Sequence, residues 1–253
     1  MESFVETGSI VRKIWGKSDT ILFIFAGAAA EFALNKAVDW LYFTGRLPAD
    51  PVGRLFSTVT YARRIIFSSR EQALEAIDRI TAIHAGVEQA RGYSIPDWAY
   101  RDVLFMLIHY SIAAFELLER KLADDEREEV FQVFYLVGKR MRLKDLPPNY
   151  AEWCGQREAH LQHDLQCSAH TLDLFRQYRK HLGHLRYRVL TAAQQLVVPM
   201  NVRRLLGFGR WSWLAPAVPL YRLCRLLRLD GVVKSILLPG RYKKEIRELD
   251  HTT

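Results

Sequence analysis

Residues 50–87 read DPVGRLFSTVTYARRIIFSSREQALEAIDRITAIHAGV, and this stretch decides the fold because it contains two consecutive helices. Asp50 followed by Pro51 is an N-cap with proline at the first helical position. Ser69, with Gln72 three residues later, has the pattern of a capping box and starts the second helix. No part of the chain shows the period-two alternation that is typical of β-strands. The sequence therefore predicts an all-α fold, a single globular helical domain of about eight to ten helices over residues 1–253.

The two helices place chemically useful side chains on defined faces. Arg54, Thr58 and Tyr61 are spaced i, i+4 and i+7, so a guanidinium, a hydroxyl and a phenol share one face of the first helix. The apolar stripe of the second helix consists of Ala73, Ile77, Ile80, His84 and Val87. His84 is therefore predicted to point into the core. Spacing alone leaves two interpretations open, because such a histidine is either a hydrogen-bonded core residue or a ligand.

The same run resembles the rubber-oxygenase family, which includes latex-clearing protein and the fungal ER-bound oxygenase of mycophenolic acid biosynthesis. The segments LIHYS (107–111), LPPNYAEW (146–153) and RRLLGF (203–208) continue the resemblance in collinear order, over roughly residues 8 to 210. The resemblance implies an all-helical oxygenase that binds haem b. It implies that His84 is the proximal ligand of the haem iron, and that Arg54 and Thr58 are catalytic residues on the distal side.

Two positions depart from the pattern of latex-clearing proteins. Those proteins have a lysine just before the distal threonine, where this chain has Ser57, and an arginine one turn after the ligand histidine, where this chain has Glu88. The departures favour an alternative, a non-catalytic helical protein that binds haem or lipid at a membrane surface. If the chain is an oxygenase, its substrates are dioxygen and an apolar small molecule, unsaturated or prenyl-like compounds among them, because Phe, Leu and Ile surround the motif.

A third helix, starting near Asp97, is apolar on almost every face and is predicted to run through the centre of the protein. His109 and Ser111 interrupt its apolar run and are therefore predicted to be buried polar groups. They either pair with each other or with backbone carbonyls, or, as the resemblance implies, line the haem pocket together with Tyr61.

Histidines and a cysteine recur every three or four residues along a predicted helix from about 150 to 191. The members of this stripe are His160, His163, Cys167, His170, His181 and His184. Such spacing permits a metal site, and a metal-dependent hydrolase using the His160–His170 part is a lesser alternative. No HExxH or CxxC motif accompanies the stripe, and many arginines flank it. We therefore expect a solvated face on which added zinc changes little.

The sequence also predicts where the protein is located and which surfaces it binds. The apolar run 21–30 is too short to span a membrane, and the charged residues Glu31 and Lys36 follow it. No signal peptide is recognised, and three cysteines without CxxC spacing are typical of a reducing compartment. A cytoplasmic protein is therefore expected. Residues 199–253 carry eleven Lys or Arg against four acids, +7 of the total +8, interleaved with aromatic residues. This segment is predicted to bind anionic membrane surfaces peripherally, or else to pack as a helix pair through Leu223, Leu226 and Leu227. No nucleic-acid-binding motif is present, and no nucleic acid is expected.

Overall fold

The computed structural model describes residues 2–45 and 49–226, without the side chains at 51, 52, 54–56 and 224–226. Within these residues the chain forms eleven helices, eight of them at least seven residues long, which confirms the predicted all-α fold. The first five are α1 (Ile10–Trp15), α2 (Ser18–Phe32), α3 (Asp39–Phe43), α4 (Pro51–Phe67) and α5 (Arg70–Arg91). The next six are α6 (Asp97–Leu118), α7 (Asp124–Arg140), α8 (Tyr150–His163), α9 (Ala169–Val197), α10 (Met200–Leu205) and α11 (Ala217–Leu226). Two isolated bridges, Ser3 with Ser69 and Asn35 with Leu165, are the only β-type pairing in the described ranges.

The helices α4 and α5 begin at the predicted caps. The Asp50 carboxylate accepts a hydrogen bond from the Gly53 amide at 3.0 Å, and the Ser69 hydroxyl accepts one from the Gln72 amide at 3.4 Å. The two helices pack against each other directly after this short connection. The predicted apolar stripe of α5 is buried only near its start, at Ala73 and Ile77, whereas its later members are partly exposed. The second half of α5 therefore leaves the main core.

The central helix predicted from Asp97 is confirmed. α6 packs against α2 most extensively and also contacts α1, α7, α8 and α9, so buried residues occur around its whole circumference. Trp15 of α1, which is fully buried, donates a hydrogen bond from its indole nitrogen to the Ser111 hydroxyl at 3.1 Å. The bond fastens α1 to the middle of the central helix.

Two predicted helices are interrupted, and the interruptions pair with each other. The residue pattern from 32 to 47 also predicts a helix, but turns follow Phe32, and the helix predicted from about 150 to 191 is interrupted after His163. The Lys36 amide donates to the Asp164 carbonyl at 2.9 Å, and the Gln166 amide donates to the Leu34 carbonyl at 2.8 Å. Backbone groups that would have continued each helix are satisfied by the other segment instead. The continuous helices predicted from periodicity were therefore wrong at these positions.

A second break in the predicted long helix lies at Gly183 of α9, whose φ of 74° and ψ of 170° are not helical. A positive φ is readily adopted by glycine because it has no Cβ. The histidines before and after this residue therefore belong to two helical segments with different directions.

None of the described helices is long and apolar enough to cross a membrane. Cys154 and Cys167 are exposed and free. The predicted basic segment is described only as far as residue 226, and its remainder, including Leu227, lies outside the described residues, as do the side chains of Cys224 and Leu226.

The contact between α2 and α6 predicts a strong effect at Gly27. A Cβ built on Gly27 would lie 2.3 Å from ring atoms of the fully buried Tyr110. Gly27→Ala should therefore lower the free energy of unfolding by roughly 1–3 kcal/mol through overpacking, which outweighs the helix propensity gained. Denaturant unfolding measures the change.

Gly155→Ala is the matched control, because Gly155 is also helical but a Cβ there meets nothing within 4 Å. It should leave stability unchanged or raise it by up to about 1 kcal/mol. Equal effects of the two substitutions would contradict the described packing of Tyr110 on α2.

Candidate functional site

A cluster of buried charged side chains lies where α2, α6 and α8 meet. Glu31 comes from α2, Asp102 from α6, and Arg157 and His160 from α8. Each of these side chains is at most 5% exposed. Charged groups removed from water to this degree require partners, since their desolvation costs several kcal/mol per ion.

Glu31 is the acceptor at the centre of the cluster. Both terminal nitrogens of the Arg157 guanidinium donate to its two carboxylate oxygens. The Tyr110 hydroxyl donates to Oε2 at 2.7 Å, and Nε2 of His160 is 3.0 Å from Oε1. The bidentate guanidinium and two further donors use the acceptor capacity of the carboxylate almost completely.

The other ring nitrogen of His160 faces two further carboxylates. Nδ1 is 2.8 Å from Oδ1 of Asp102 and 3.4 Å from Oδ2 of Asp164. The second oxygen of Asp102 accepts a hydrogen bond from the Asn35 side-chain amide at 2.9 Å. The side chain of Asp164, which follows the end of α8, is 28% exposed, so the cluster reaches solvent on this side.

The pKa values of the cluster follow from burial and neighbouring charge. Burial raises the pKa of Glu31, but Arg157 and His160 outweigh this effect and hold the pKa well below its usual range. Burial lowers the pKa of His160, but the carboxylates of Asp102 and Glu31 outweigh it and raise the pKa to about 9. Burial also raises the pKa of Asp102.

His84, the predicted ligand, lies in the second half of α5 and is half-buried. Its ring packs edge-on against the Tyr100 ring of α6, with 5.1 Å between the ring centroids. Ile80 and Val87, one turn before and after it, are likewise half-buried, so the face of α5 around the imidazole is largely apolar. The predicted apolar stripe is therefore present, but its second half lies on a partly exposed surface and not in the core.

Glu88, which stands where latex-clearing proteins have an arginine, is used within the fold. Its Oε1 accepts a hydrogen bond from the Ile95 amide at 2.7 Å and one from the Tyr100 hydroxyl at 3.1 Å. The carboxylate therefore fastens the turn between α5 and α6 and orients the tyrosine that contacts His84. Burial, followed by the charge of Glu88, raises the pKa of Tyr100 well above its ordinary value.

The predicted distal residues lie on α4. Thr58 and Tyr61 are half-buried, whereas the side chain of Arg54 lies outside the described residues. Counted from the connection at 68–69 with a rise of 1.5 Å per residue, the backbone of Arg54 is about 20 Å along α4, and that of His84 is about 21 Å along α5. The two positions are thus at a similar distance from the connection between the helices.

His109 and Ser111 lie in another part of the molecule. Helical geometry puts His109 about 14 Å along α6 from Tyr100 and on the opposite face, and Ser111 about 16 Å along it. His109 hydrogen-bonds the Val197 backbone, and burial, followed by the charge of Arg157, lowers its pKa to about 4. The Ser111 hydroxyl accepts from Trp15. The structure does not bring either residue to His84.

The histidine stripe does not converge on one point. His163, Cys167 and His170 are exposed, and the break after α8 separates His160 and His163 from the others. Among the described residues, the one group of three ligands close enough to hold an ion consists of Asp102, His160 and Asp164. Two of these three residues do not belong to the stripe.

Sequence reasoning missed the cluster around Glu31, although part of the signal was present. Glu31 directly follows the apolar run 21–30 of α2, and Asp102 directly precedes the apolar run 103–108 of the central helix. A charged residue on an apolar face requires a buried partner. Which residue supplies it is not encoded locally, since Arg157 is 126 positions from Glu31.

Comparison with known proteins identifies one family. The family described as "ER-bound oxygenase mpaB/B'/Rubber oxygenase, catalytic domain" matches residues 13–229. This range contains α2 to α11 and both groups of polar residues described above. No curated protein and no solved structure matches the chain significantly.

The cluster predicts that Arg157 is essential for stability. Arg157→Met leaves the fully buried carboxylate of Glu31 without its main counter-charge, so it should lower the free energy of unfolding by about 3–5 kcal/mol. Thermal and denaturant unfolding measure the loss.

The control is Arg140→Met. Arg140 also makes two hydrogen bonds to a carboxylate, that of Asp78, but both side chains of this pair are about half exposed. Water and salt screen such a pair, so little or no change in stability is expected. Similar losses in both variants would show that burial of Glu31 is not what gives Arg157 its importance.

Proposed function

The chain belongs to the family of the ER-bound oxygenase mpaB and the rubber oxygenase, and on this premise we propose that it is a haem b-dependent oxygenase acting on an apolar small molecule. The observation that carries the proposal is the family match over residues 13–229, which is most of the chain. The substrate class rests on the apolar residues of the motif, and unsaturated or prenyl-like compounds are among those expected.

The surroundings of His84 fit a haem chemically. A haem requires a histidine with an accessible ring nitrogen beside a flat apolar surface. His84 is half-buried between Ile80 and Val87, and the Tyr100 ring packs against the imidazole edge-on. An imidazole enclosed on every side in the core would not leave room for the cofactor.

In the proposed mechanism each residue has a defined task. His84 would bind the iron, and Tyr100, which is hydrogen-bonded to Glu88, would limit the rotation of the imidazole. Arg54 and Thr58 would provide a positive charge and a hydroxyl donor to the bound reactants. Tyr61 remains a predicted pocket residue, whereas His109 and Ser111 lie about 14 Å and about 16 Å along α6 from Tyr100 and are given no role at the haem. When bound, haem supplies an iron centre that activates dioxygen for oxidation of an organic substrate.

A second candidate function is a non-catalytic protein that binds haem or lipid. The position of Glu88 favours it, because the carboxylate serves the turn between α5 and α6 and supplies no positive charge next to the ligand. The two functions are distinguished by whether the protein converts a substrate. Dioxygen consumption that depends on an apolar alkene supports the oxygenase, and a haem spectrum without such consumption supports the alternative.

Replacing His84 tests the central residue. His84→Ala should abolish or strongly weaken haem retention, because the iron loses its protein ligand. Absorption spectra of the purified chain with one equivalent of haem added measure retention through the Soret band.

Arg54→Ala should keep the haem and lose dioxygen consumption, since it removes only the distal charge.

His163→Ala is the control for the loss of a histidine, because the side chain of His163 is exposed on α8 and its ring hydrogen-bonds to the Ala159 carbonyl of the same helix. It should leave the spectrum unchanged. A normal histidine-ligated Soret band in His84→Ala would refute the assignment of the ligand.

We further propose that residues 199–253 bind anionic membrane surfaces. In the described part of this segment, Trp211 is 86%, Trp213 is 55% and Leu223 is 52% exposed. Interfacial tryptophans together with a local charge of +7 favour anionic headgroups. The helix α11 is held to the core through Tyr221, whose hydroxyl donates to Asp19 at 3.0 Å.

Vesicle binding tests this proposal with the full chain. Co-sedimentation with phosphatidylserine-containing vesicles should decrease when both Trp211 and Trp213 are replaced by serine, and binding of the unaltered chain should decrease with salt. Tyr93→Ser is the control, because Tyr93 is 73% exposed but follows α5, outside the basic segment. Equal pelleting of the tryptophan variant and the unaltered chain would contradict the proposal.

A further inference from the structure

The environment of His160 has the features of a metal-binding site. Its Nδ1 lies close to one oxygen each of Asp102 and Asp164, and the three ligand atoms are all within 4.8 Å of one another. His160 is 97% buried, being 3% exposed, and yet its Nδ1 has no hydrogen-bond partner of acceptable geometry among the described residues. The nearest carboxylate oxygen is at 2.8 Å but does not lie in the direction in which an N–H at Nδ1 points. A ring nitrogen buried in this way is better explained by a lone pair directed at an ion.

The distances agree with ligands around one ion. Ligands bound at about 2.1 Å are about 3.0 Å apart when the angle at the metal is 90°, and about 3.4 Å apart when it is tetrahedral. The two distances from Nδ1, 2.8 Å and 3.4 Å, are close to these values. A direct hydrogen bond from Nδ1 to either carboxylate would instead require that the N–H point at the carboxylate oxygen.

The surrounding residues supply the hydrogen bonds that orient the ligands of a metal site. Nε2 of His160 is 3.0 Å from the Glu31 carboxylate, which makes a carboxylate–histidine pair. With the proton on Nε2, the lone pair of Nδ1 is available to coordinate an ion. The Asn35 amide holds the second oxygen of Asp102. The exposed part of Asp164 provides access from solvent. Added zinc was expected to change little at the histidine stripe, which lacks a metal-binding motif. Glu31 beside His160 and Asn35 beside Asp102 provide support that the sequence pattern of the stripe did not reveal.

Charge balance favours a dication. Three carboxylates, those of Glu31, Asp102 and Asp164, face one guanidinium and one imidazole in this cluster. With His160 protonated the sum of these charges is −1. With His160 neutral and a dication bound, the sum is zero. One nitrogen and two carboxylate ligands suit Zn²⁺, Mn²⁺ or Fe²⁺ better than Ca²⁺ or Mg²⁺, which prefer oxygen ligands only.

We propose that Asp102, His160 and Asp164 bind a divalent transition-metal ion, with Glu31 orienting the histidine through its other ring nitrogen. Three protein ligands leave at least one coordination position for water or a small anion on the side of Asp164. The site does not include His84 and is independent of the proposed haem.

Zinc binding to the full-length chain tests the site. After treatment with a chelator and dialysis, the chain should bind one equivalent of Zn²⁺, measured by calorimetry and by elemental analysis, and its thermal unfolding temperature should rise. Zinc rather than iron is measured, so the result does not depend on how much haem the protein carries. Asp164→Asn should weaken binding by about tenfold or more, since it removes a charged ligand.

Two controls separate this site from surface binding. His163→Ala removes the neighbouring exposed histidine, and Asp39→Asn removes a partly exposed aspartate that pairs with Arg91 instead. Both should bind zinc like the unaltered chain. Loss of zinc in His163→Ala, or full binding in Asp164→Asn, would overturn the proposal.

A measurement on the unaltered chain removes the dependence on any variant that fails to fold. X-ray absorption at the zinc edge should show only nitrogen and oxygen ligands at about 2.0–2.2 Å. A sulfur ligand at about 2.3 Å would indicate binding at one of the three cysteines and would refute the site. Failure to bind any Zn²⁺ or Mn²⁺ would refute it equally.

Discussion

The carboxylate of Glu31 is the group on which the arrangement of the long helices depends. Its side chain has no contact with solvent, so its charge has to be neutralised within the protein. The partners come from two other helices, Tyr110 from α6 and Arg157 from α8. Apolar packing alone tolerates small shifts of one helix along another, whereas a bidentate guanidinium–carboxylate pair does not. The pair therefore determines the register of α8 against α2 and α6.

The register is supported by the two segments at which the helices end. The chain leaves α2 at residue 33 and α8 at residue 164, and the backbones of these exits bond to each other. The Thr171 hydroxyl at the start of α9 donates to the Ala33 carbonyl at 2.7 Å. This pairing brings Asn35 to the Asp102 carboxylate and Asp164 to the His160 ring. The polar cluster thus exists because both helices stop where they do.

The parts of this structure that local rules determine could be predicted from the sequence, and the parts that depend on distant partners could not. Asp50 and Ser69 cap helices through bonds to residues three positions away, and the central position of α6 follows from its apolar composition. The breaks at 33 and 164 are stabilised by each other across the chain, so periodicity extended both helices too far. The cluster was missed for the same reason. His160 appeared as one member of a stripe, although its functional neighbours lie on α6 and beyond the end of α8.

The first two turns of α6 join the two polar regions of the molecule. Tyr100 packs against His84, while Asp102, two residues later, faces His160 on another side of the same helix. Two residues of an α-helix are separated by about 3 Å along the axis and by about 200° around it. A displacement of this part of α6 therefore changes both environments together. The residues that hold it, Glu88 through Tyr100 and Asn35 through Asp102, come from opposite sides of the helix. The position of the ring against His84 is consequently determined by the buried polar cluster as well as by the turn that precedes α6.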